Sequence, residues 1–261
     1  MNIPIYQVDA FTDKHFGGNP AAVCPLEEWL SPELMQNIAA ENNLSETAFF
    51  VRKEKIFELR WFTPMIEVEL CGHATLASAH VLFNHLGYSE EQIVFSTVSG
   101  ELRVTKEDSL LILDFPATPP SPAGIKEELI QGLGKRPTEV HKSRDYLAVF
   151  GNEADILSLK PNFDILRKLD CLGIIVSAKG ENCDFVSRFF APAVGIDEDP
   201  VTGSAHTTLI PFWAERLKKN ALHAFQLSKR KGELFCEFAG DRVKIGGHAV
   251  TFFVGEISLR A

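Results

Sequence analysis

The sequence predicts an α+β protein of two pseudo-symmetric halves, residues 1–117 and 118–261, each a curved, mostly antiparallel sheet wrapped around one central helix. Three observations carry this prediction. Sequence anchors recur about half a chain apart. Each half reads as a series of short strands interrupted by one long helix. A proline-rich segment lies between the two.

The anchors come in the same order in both halves. Arg60-Trp61-Phe62-Thr63-Pro64 leads into Cys71-Gly72-His73-Ala74-Thr75, and Arg188-Phe189-Phe190-Ala191-Pro192 leads into Thr202-Gly203-Ser204-Ala205-His206; further on, Gly100-Glu101-Leu102 is matched by Gly232-Glu233-Leu234. The offsets are 128 (60 to 188), 131 (72 to 203) and 132 (100 to 232) residues. Similar anchors at nearly constant offset mark an internal repeat.

In the first half, Ser31-Pro32-Glu33 opens a helix, with serine as cap and proline at the first helical position, running to about Asn43. Strands are expected over 47–52 and 56–62. Residues 72–86 carry apolar side chains at helical spacing and stop at Gly87. Strands follow over 93–98, 101–105 and 110–115. The second half repeats this order: a short helix over 163–169, strands over 171–176 and 185–190, a helix over 203–218, and strands over 224–228, 233–238, 242–245 and 250–254. The last strand is free to return to the first half. Ala117-Thr118-Pro119-Pro120-Ser121-Pro122-Ala123-Gly124 reads as a linker crossed by neither strand nor helix. Two such units side by side would leave a cleft, a favoured place for a small ligand.

Composition narrows the function classes. Hydrophobic residues make up 45% of the 261 and charged residues 23%, enough for a full core. The formal net charge of -9 argues against a nucleic-acid partner, which would need a basic face. The five cysteines are odd in number and form no CxxC pair, so neither a disulfide framework nor a zinc site is expected. No apolar run of the ~18 residues that span a bilayer occurs, and the N-terminus lacks a signal-peptide pattern. A cytoplasmic protein with no membrane partner and a small-molecule substrate is the expectation. Dinucleotide, P-loop and GxSxG motifs are missing from the sequence.

The two helix starts are the sharpest chemical feature. Backbone N–H groups in a helix's first turn have no partner within the helix, and with the helix dipole they favour an anion. Gly72 and Gly203 let a ligand approach that backbone closely, and Asn19, in Gly17-Gly18-Asn19-Pro20, offers both a donor and an acceptor. These three are the candidate substrate-binding residues. Candidate catalytic residues are Glu46, His73, Asp199 and Ser204. Each also has a plainer reading: Glu46 as a strand-edge surface carboxylate, His73 and Ser204 as helix caps, Asp199 as an acid favoured by the dipole ahead of a helix, and Asn19 as part of an ordinary Asn-Pro turn. Cys71 is a candidate nucleophile or a small buried residue. His206, one turn into its helix, reads as a packed or surface histidine.

Four stretches carry a family resemblance: VDAFTDKHFGGNPAAV (8–23), NLSETAFF (43–50), FTPMIEVELCGHAT (62–75) and RFFAPAVGIDEDPVTGSAH (188–206). Together they resemble the PhzF family of phenazine-biosynthesis-like proteins, within the diaminopimelate-epimerase-like fold, across essentially the whole chain. The resemblance implies a cofactor-independent isomerase, with no metal and often a homodimer, in which a glutamate moves a proton. The matching position is Glu46, and the other matched site residues are His73, Asp199 and Ser204. Related racemases use one cysteine from each half. Here Cys71 stands at the first place and Thr202 at the second, so weight shifts from the thiol to Glu46. A cysteine-dependent racemase and a non-catalytic binding protein are the alternatives.

Overall fold

The computed structural model describes residues 1–259. The chain groups into two compact units, 1–114 with 246–261, and 115–245. The sequence expectation is a division at 117/118 with the last strand free to return; by its contacts, the segment starting at Gly246 groups with the first unit.

The first unit begins with β1 (Asn2–Ala10), β2 (Asn19–Leu26), α1 (Pro32–Asn42), β3 (Glu46–Lys53), β4 (Ile56–Phe62) and β5 (Glu67–Val68). It continues with α2 (Gly72–Asn84), β6 (Gln92–Thr97), β7 (Gly100–Glu107) and β8 (Leu110–Pro116), the last running to the unit boundary. Ser31 caps α1 by accepting from the Leu34 N–H, Pro32 occupies the first turn, and Asn43 closes the helix in the left-handed region at φ 49°. The apolar face of α1 (Met35, Ile38, Ala39) packs with Phe49 and Phe62 of the sheet.

Strands β1–β2, β3–β4, β6–β7 and β7–β8 pair antiparallel, but β2–β3 and β4–β6 are parallel. Parallel neighbours need a crossover, and here α1 and α2 supply it. Helix α2 is buried on every side from His73 to Leu82. It contacts β1, β2, β3 and the final strand, described below. A helix buried all round must be small and polar-satisfied: Ala74, Ala77 and Ala79 keep it slim, while Thr75 Oγ1 and Ser78 Oγ donate to the carbonyls of Cys71 and Ala74 at 2.6 and 2.8 Å.

The second unit contains β9 (Ser121–Ala123), α3 (Glu127–Leu133), β10 (Glu139–Lys142), β11 (Tyr146–Val149), α4 (Glu153–Ser158), α5 (Phe163–Leu166), β12 (Ile174–Lys179), β13 (Phe185–Ala191) and β14 (Ile196–Asp199). Then come α6 (Gly203–Leu217), β15 (Ala221–Gln226), β16 (Gly232–Ala239) and β17 (Arg242–Gly247), while the last strand, β18 (Ala249–Ser258), belongs to the first unit and pairs antiparallel along β1 there. One expectation is corrected: the proline-rich segment is crossed by a strand, since β9 pairs antiparallel with β10. Pro122, opposite His141, sits in a three-residue strand, a setting that tolerates a missing N–H. Strands β11–β12 and β13–β15 are parallel, and α6 bridges the second pair. Ten of the fifteen α6 residues are buried, and the helix packs on β15 and β16.

Two core histidines give the fold a pH dependence. Burial, with repulsion from His85 and Lys106, lowers His80 to about 4; burial lowers His206 to about 4, although the Thr202 carbonyl partly opposes it. An unfolded chain takes up these protons near the usual value of ~6.5, so the unfolded state binds more protons between there and 4. Stability is expected to decrease as pH is lowered through that window, by up to ~1.4 kcal/mol per pH unit for each group. Urea midpoints at neutral pH and at pH values inside the window check this, and a flat profile would contradict it. Glu139, lowered to about 2 chiefly by Arg216, loses its contribution only below about 4.5, in an adjacent window.

Candidate active site

The parallel pairing of β2 and β3 sets up the first-unit site. Asn19 opens β2, Glu46 opens β3, and Ala21 is in register with Glu46. His73 sits in the first turn of α2, which packs on both strands. Three residues far apart in sequence thereby meet. Glu46 is 8% exposed, His73 4% and Asn19 0%. The surface-edge reading of Glu46 does not hold: β3 is buried through its first six residues.

His73 Nε2 lies 3.0 Å from Glu46 Oε2. The two are within ion-pair distance but off the line of a hydrogen bond, and both atoms are buried with no hydrogen-bond partner among the described residues. On the other edge of the ring, Nδ1 is 3.2 Å from Asn19 Nδ2 and 3.5 Å from Cys71 Sγ. Ser45 Oγ donates to Asn19 Oδ1 at 3.3 Å. Trp61 Nε1, Ser187 Oγ and His206 Nε2 are also buried without partners, so an orphan atom alone marks nothing. Two orphans on facing acid–base groups do.

Burial pushes the Cys71 thiol up to about 11, with a further push from the Glu46 carboxylate. It is therefore a neutral thiol near pH 7, a poor nucleophile. For His73, burial opposes the charged ring, while Cys71 and Glu46 favour it, and the balance lies well above the usual value. Since Cys71 stays protonated, the Glu46 carboxylate is the cause that physically holds.

Glu46, Cys71 and His73 offer ligand atoms within 4.8 Å of one another. The sulfur, however, faces Nδ1 and the carboxylate faces Nε2, on opposite edges of one imidazole. A single ion bound through one of these nitrogens would not meet all three groups unless the ring turned. The arrangement suits proton sharing better than metal ligation.

In the second unit, Asp199 ends β14 and accepts a 2.5 Å hydrogen bond from Thr202 Oγ1. Thr202 is the N-cap of α6 but makes no side-chain cap; its hydroxyl is turned to Asp199 instead. Cys71, at the start of α2, also makes none. Both helix starts thus keep first-turn N–H groups without a side-chain cap, as an anion site needs. Gly72 and Gly203 are the first residues of the two helices. Ser204 Oγ accepts from Arg144 Nη2 at 3.2 Å, and Arg144 is braced by buried Asp145. Buried Gln226 accepts from the Thr202 N–H at 2.9 Å and donates to the Asp199 carbonyl at 2.8 Å. His206 is fully buried and 2.8 Å from the Thr202 carbonyl, a packed residue.

Sequence reasoning missed Ser45, Arg144 and Gln226. Ser45 had a signal, its place beside Glu46 in NLSETAFF; Arg144 and Gln226 lie outside every motif.

The family profile for phenazine biosynthesis-like proteins matches residues 8–255. The chain belongs to the PhzF family. An uncharacterized isomerase of Pseudomonas aeruginosa is 54% identical over 99% of this chain and 100% of its own length. The crystal structure of a PhzF-family protein from Enterococcus faecalis superposes with a TM-score of 0.98 at 49% identity, covering 99% of this chain and 100% of that one. A probable proline racemase from Agrobacterium radiobacter shares the fold at a TM-score of 0.67 and 10% identity, over 99% of this chain and 93% of its own. By family and near relatives, this PhzF-family chain is an isomerase on an epimerase-like α+β fold.

Proposed function

We propose that this PhzF-family protein moves a proton between carbons of a small carboxylated substrate, with Glu46 acting first as base and then as acid. The observation that carries the reading is the buried pair Glu46 Oε2 and His73 Nε2, 3.0 Å apart and both without a hydrogen bond. Buried polar atoms are normally satisfied, and two unsatisfied atoms facing each other on an acid–base pair leave hydrogen-bonding capacity for a reacting group. Removal of a proton from a carbon next to a carbonyl or carboxyl leaves an enolate-like charge. The uncapped helix start at Gly72 supplies backbone donors for such charge. His73 stabilises the Glu46 carboxylate before transfer and steadies the proton once Glu46 holds it. On the resemblance carried by residues 188–206, we assign orienting and charge-stabilising roles to Asp199, Ser204 and Gly203. No cofactor or metal is required for these steps.

The experiment is a panel of small carboxylic acids incubated with enzyme in D₂O, with deuterium at carbon read by NMR. Wild type, Glu46→Gln and Cys71→Ser are compared. The proposal expects label with wild type and Cys71→Ser and its loss with Glu46→Gln. A thiol-dependent racemase would show the reverse, and a binding protein would show no label with any variant.

The family resemblance also suggests a homodimer. Phe252, Phe253 and Val254 on β18 are about half exposed, and Phe16, 72% exposed, stacks edge-on to Phe252. A second copy of this chain is the occupant we assign to this patch. Light scattering after gel filtration should read a dimer for wild type and a monomer for Phe253→Glu; a monomeric wild type overturns the assignment. The five cysteines are all free thiols, which is compatible with the cytoplasm as the proposed compartment.

A further inference from the structure

We propose that Asn19, itself held by Ser45, is a positioning residue for His73: it fixes the ring's tautomer so that the protonated nitrogen is the one facing Glu46. The proposal rests on the reading of Glu46 as the base and deepens it. It also reads Asn19 differently from the ligand contact that the Gly-Gly-Asn-Pro turn suggests.

The placement of the Asn19 amide gives the hydrogen-bond chain its direction. A serine hydroxyl donates to a carbonyl oxygen, and Ser45 Oγ lies 3.3 Å from Asn19 Oδ1. The amide oxygen is therefore turned to Ser45, and its NH₂ end is turned to His73 Nδ1, 3.2 Å away. An NH₂ group has only donors to offer. Nδ1 must then accept, and a neutral ring carries its hydrogen on Nε2. That nitrogen is the one 3.0 Å from Glu46 Oε2. The Cys71 thiol, 3.5 Å from the same Nδ1, is a second, weaker donor on that edge. Two donors against Nδ1 make it the acceptor nitrogen of the neutral ring.

The opposite tautomer would turn a nitrogen lone pair towards the carboxylate, and the two would repel. Fixing the ring thus decides whether His73 supports Glu46 or opposes it. Asn19 is 0% exposed, and both ends of its amide are engaged within the protein. Such a group is built to orient a neighbour.

The test is NMR of protein labelled with ¹⁵N-histidine, reading the two ring nitrogens of His73 through their long-range proton couplings. It is run in wild type above the ring's titration and in the Glu46→Gln background, where the neighbouring negative charge is gone. The expected pattern is an acceptor-type Nδ1 and a protonated Nε2. Asn19→Leu should mix the tautomers, Ser45→Ala should do so in part, and Asn19→Asp should hold the ring doubly protonated to higher pH. A neutral wild-type ring protonated on Nδ1 overturns the proposal, as does an unchanged ring in Asn19→Leu whose backbone spectrum shows a folded protein. If Asn19→Leu does not fold, the wild-type tautomer and Ser45→Ala decide it. No substrate is involved, so this result and the deuterium experiment on Glu46 can fail independently.

Discussion

Glu46→Gln is expected to lower the rate of deuterium incorporation by roughly 10²- to 10⁴-fold, the span general acid–base catalysis contributes, while leaving the fold intact. Glutamine keeps the shape of the side chain and removes only its basicity. The local structure should survive because Glu46 is held by the β2–β3 pairing and by its place at the head of a buried strand. The loss should fall on kcat more than on KM, since a base acts on the reacting proton and not on the anionic end of the substrate. His73 will also lose its carboxylate neighbour, so its ring should titrate at lower pH in this variant; that shift shows the pair was coupled, independently of turnover. Equal deuterium incorporation by Glu46→Gln and wild type would remove Glu46 from the chemistry.

Gly18→Ala is expected to be the most damaging single-methyl change near the site. Gly18 sits at φ +60°, a left-handed conformation that costs an ordinary residue about 1–2 kcal/mol. An added Cβ would also lie 2.1 Å from the Ala10 carbonyl oxygen and 2.8 Å from Thr12 Cγ2, and the first of these is backbone that cannot rotate away. Overpacking of this kind adds ~1–3 kcal/mol. The sum of about 2–5 kcal/mol should lower the melting temperature by roughly 5–15 °C for a chain of this size. Gly240→Ala is the control: its φ is +78° and nothing lies within 4 Å of the added atom, so only the conformational cost applies. Equal losses in the two variants would show that the contact with Ala10 is relieved at no cost. Because Gly18 directly precedes Asn19, the His73 ring should also lose its fixed orientation in Gly18→Ala.

Local chemistry explains what was legible beforehand. The Ser31-Pro32 start of α1 and the span 56–62 of β4 are written in neighbouring residues, and the structure places both there. The family, and with it the fold class, was legible because four motifs hold chemically constrained turns and helix starts in a fixed order. Residues 125–160 show no element in their sequence pattern: α3, β10, β11 and α4 are four to seven residues each, too short for a periodic pattern to stand out. The parallel pairs were also illegible, since a strand's own residues do not record which neighbour it takes once a helix intervenes.

The sequence by itself determined which side chains are available, Glu46, His73, Asn19 and Cys71 among them, and that the second helix start carries Thr202 where a second thiol would stand. Only the tertiary structure decided what they do to one another. Asn19, Ser45 and Glu46 lie 27 to 54 residues from His73 in sequence, and the packing of α2 on β2 and β3 is what brings them to one ring. Burial followed from that packing, and burial decided the chemistry: it keeps Cys71 a thiol, and it draws Glu46 and His73 out of water until each is the other's nearest charged partner. A strand-edge glutamate in sequence is a buried carboxylate with Oε2 facing His73 in space, because the electrostatics of a site depend on distance and solvent exclusion, which no local pattern encodes.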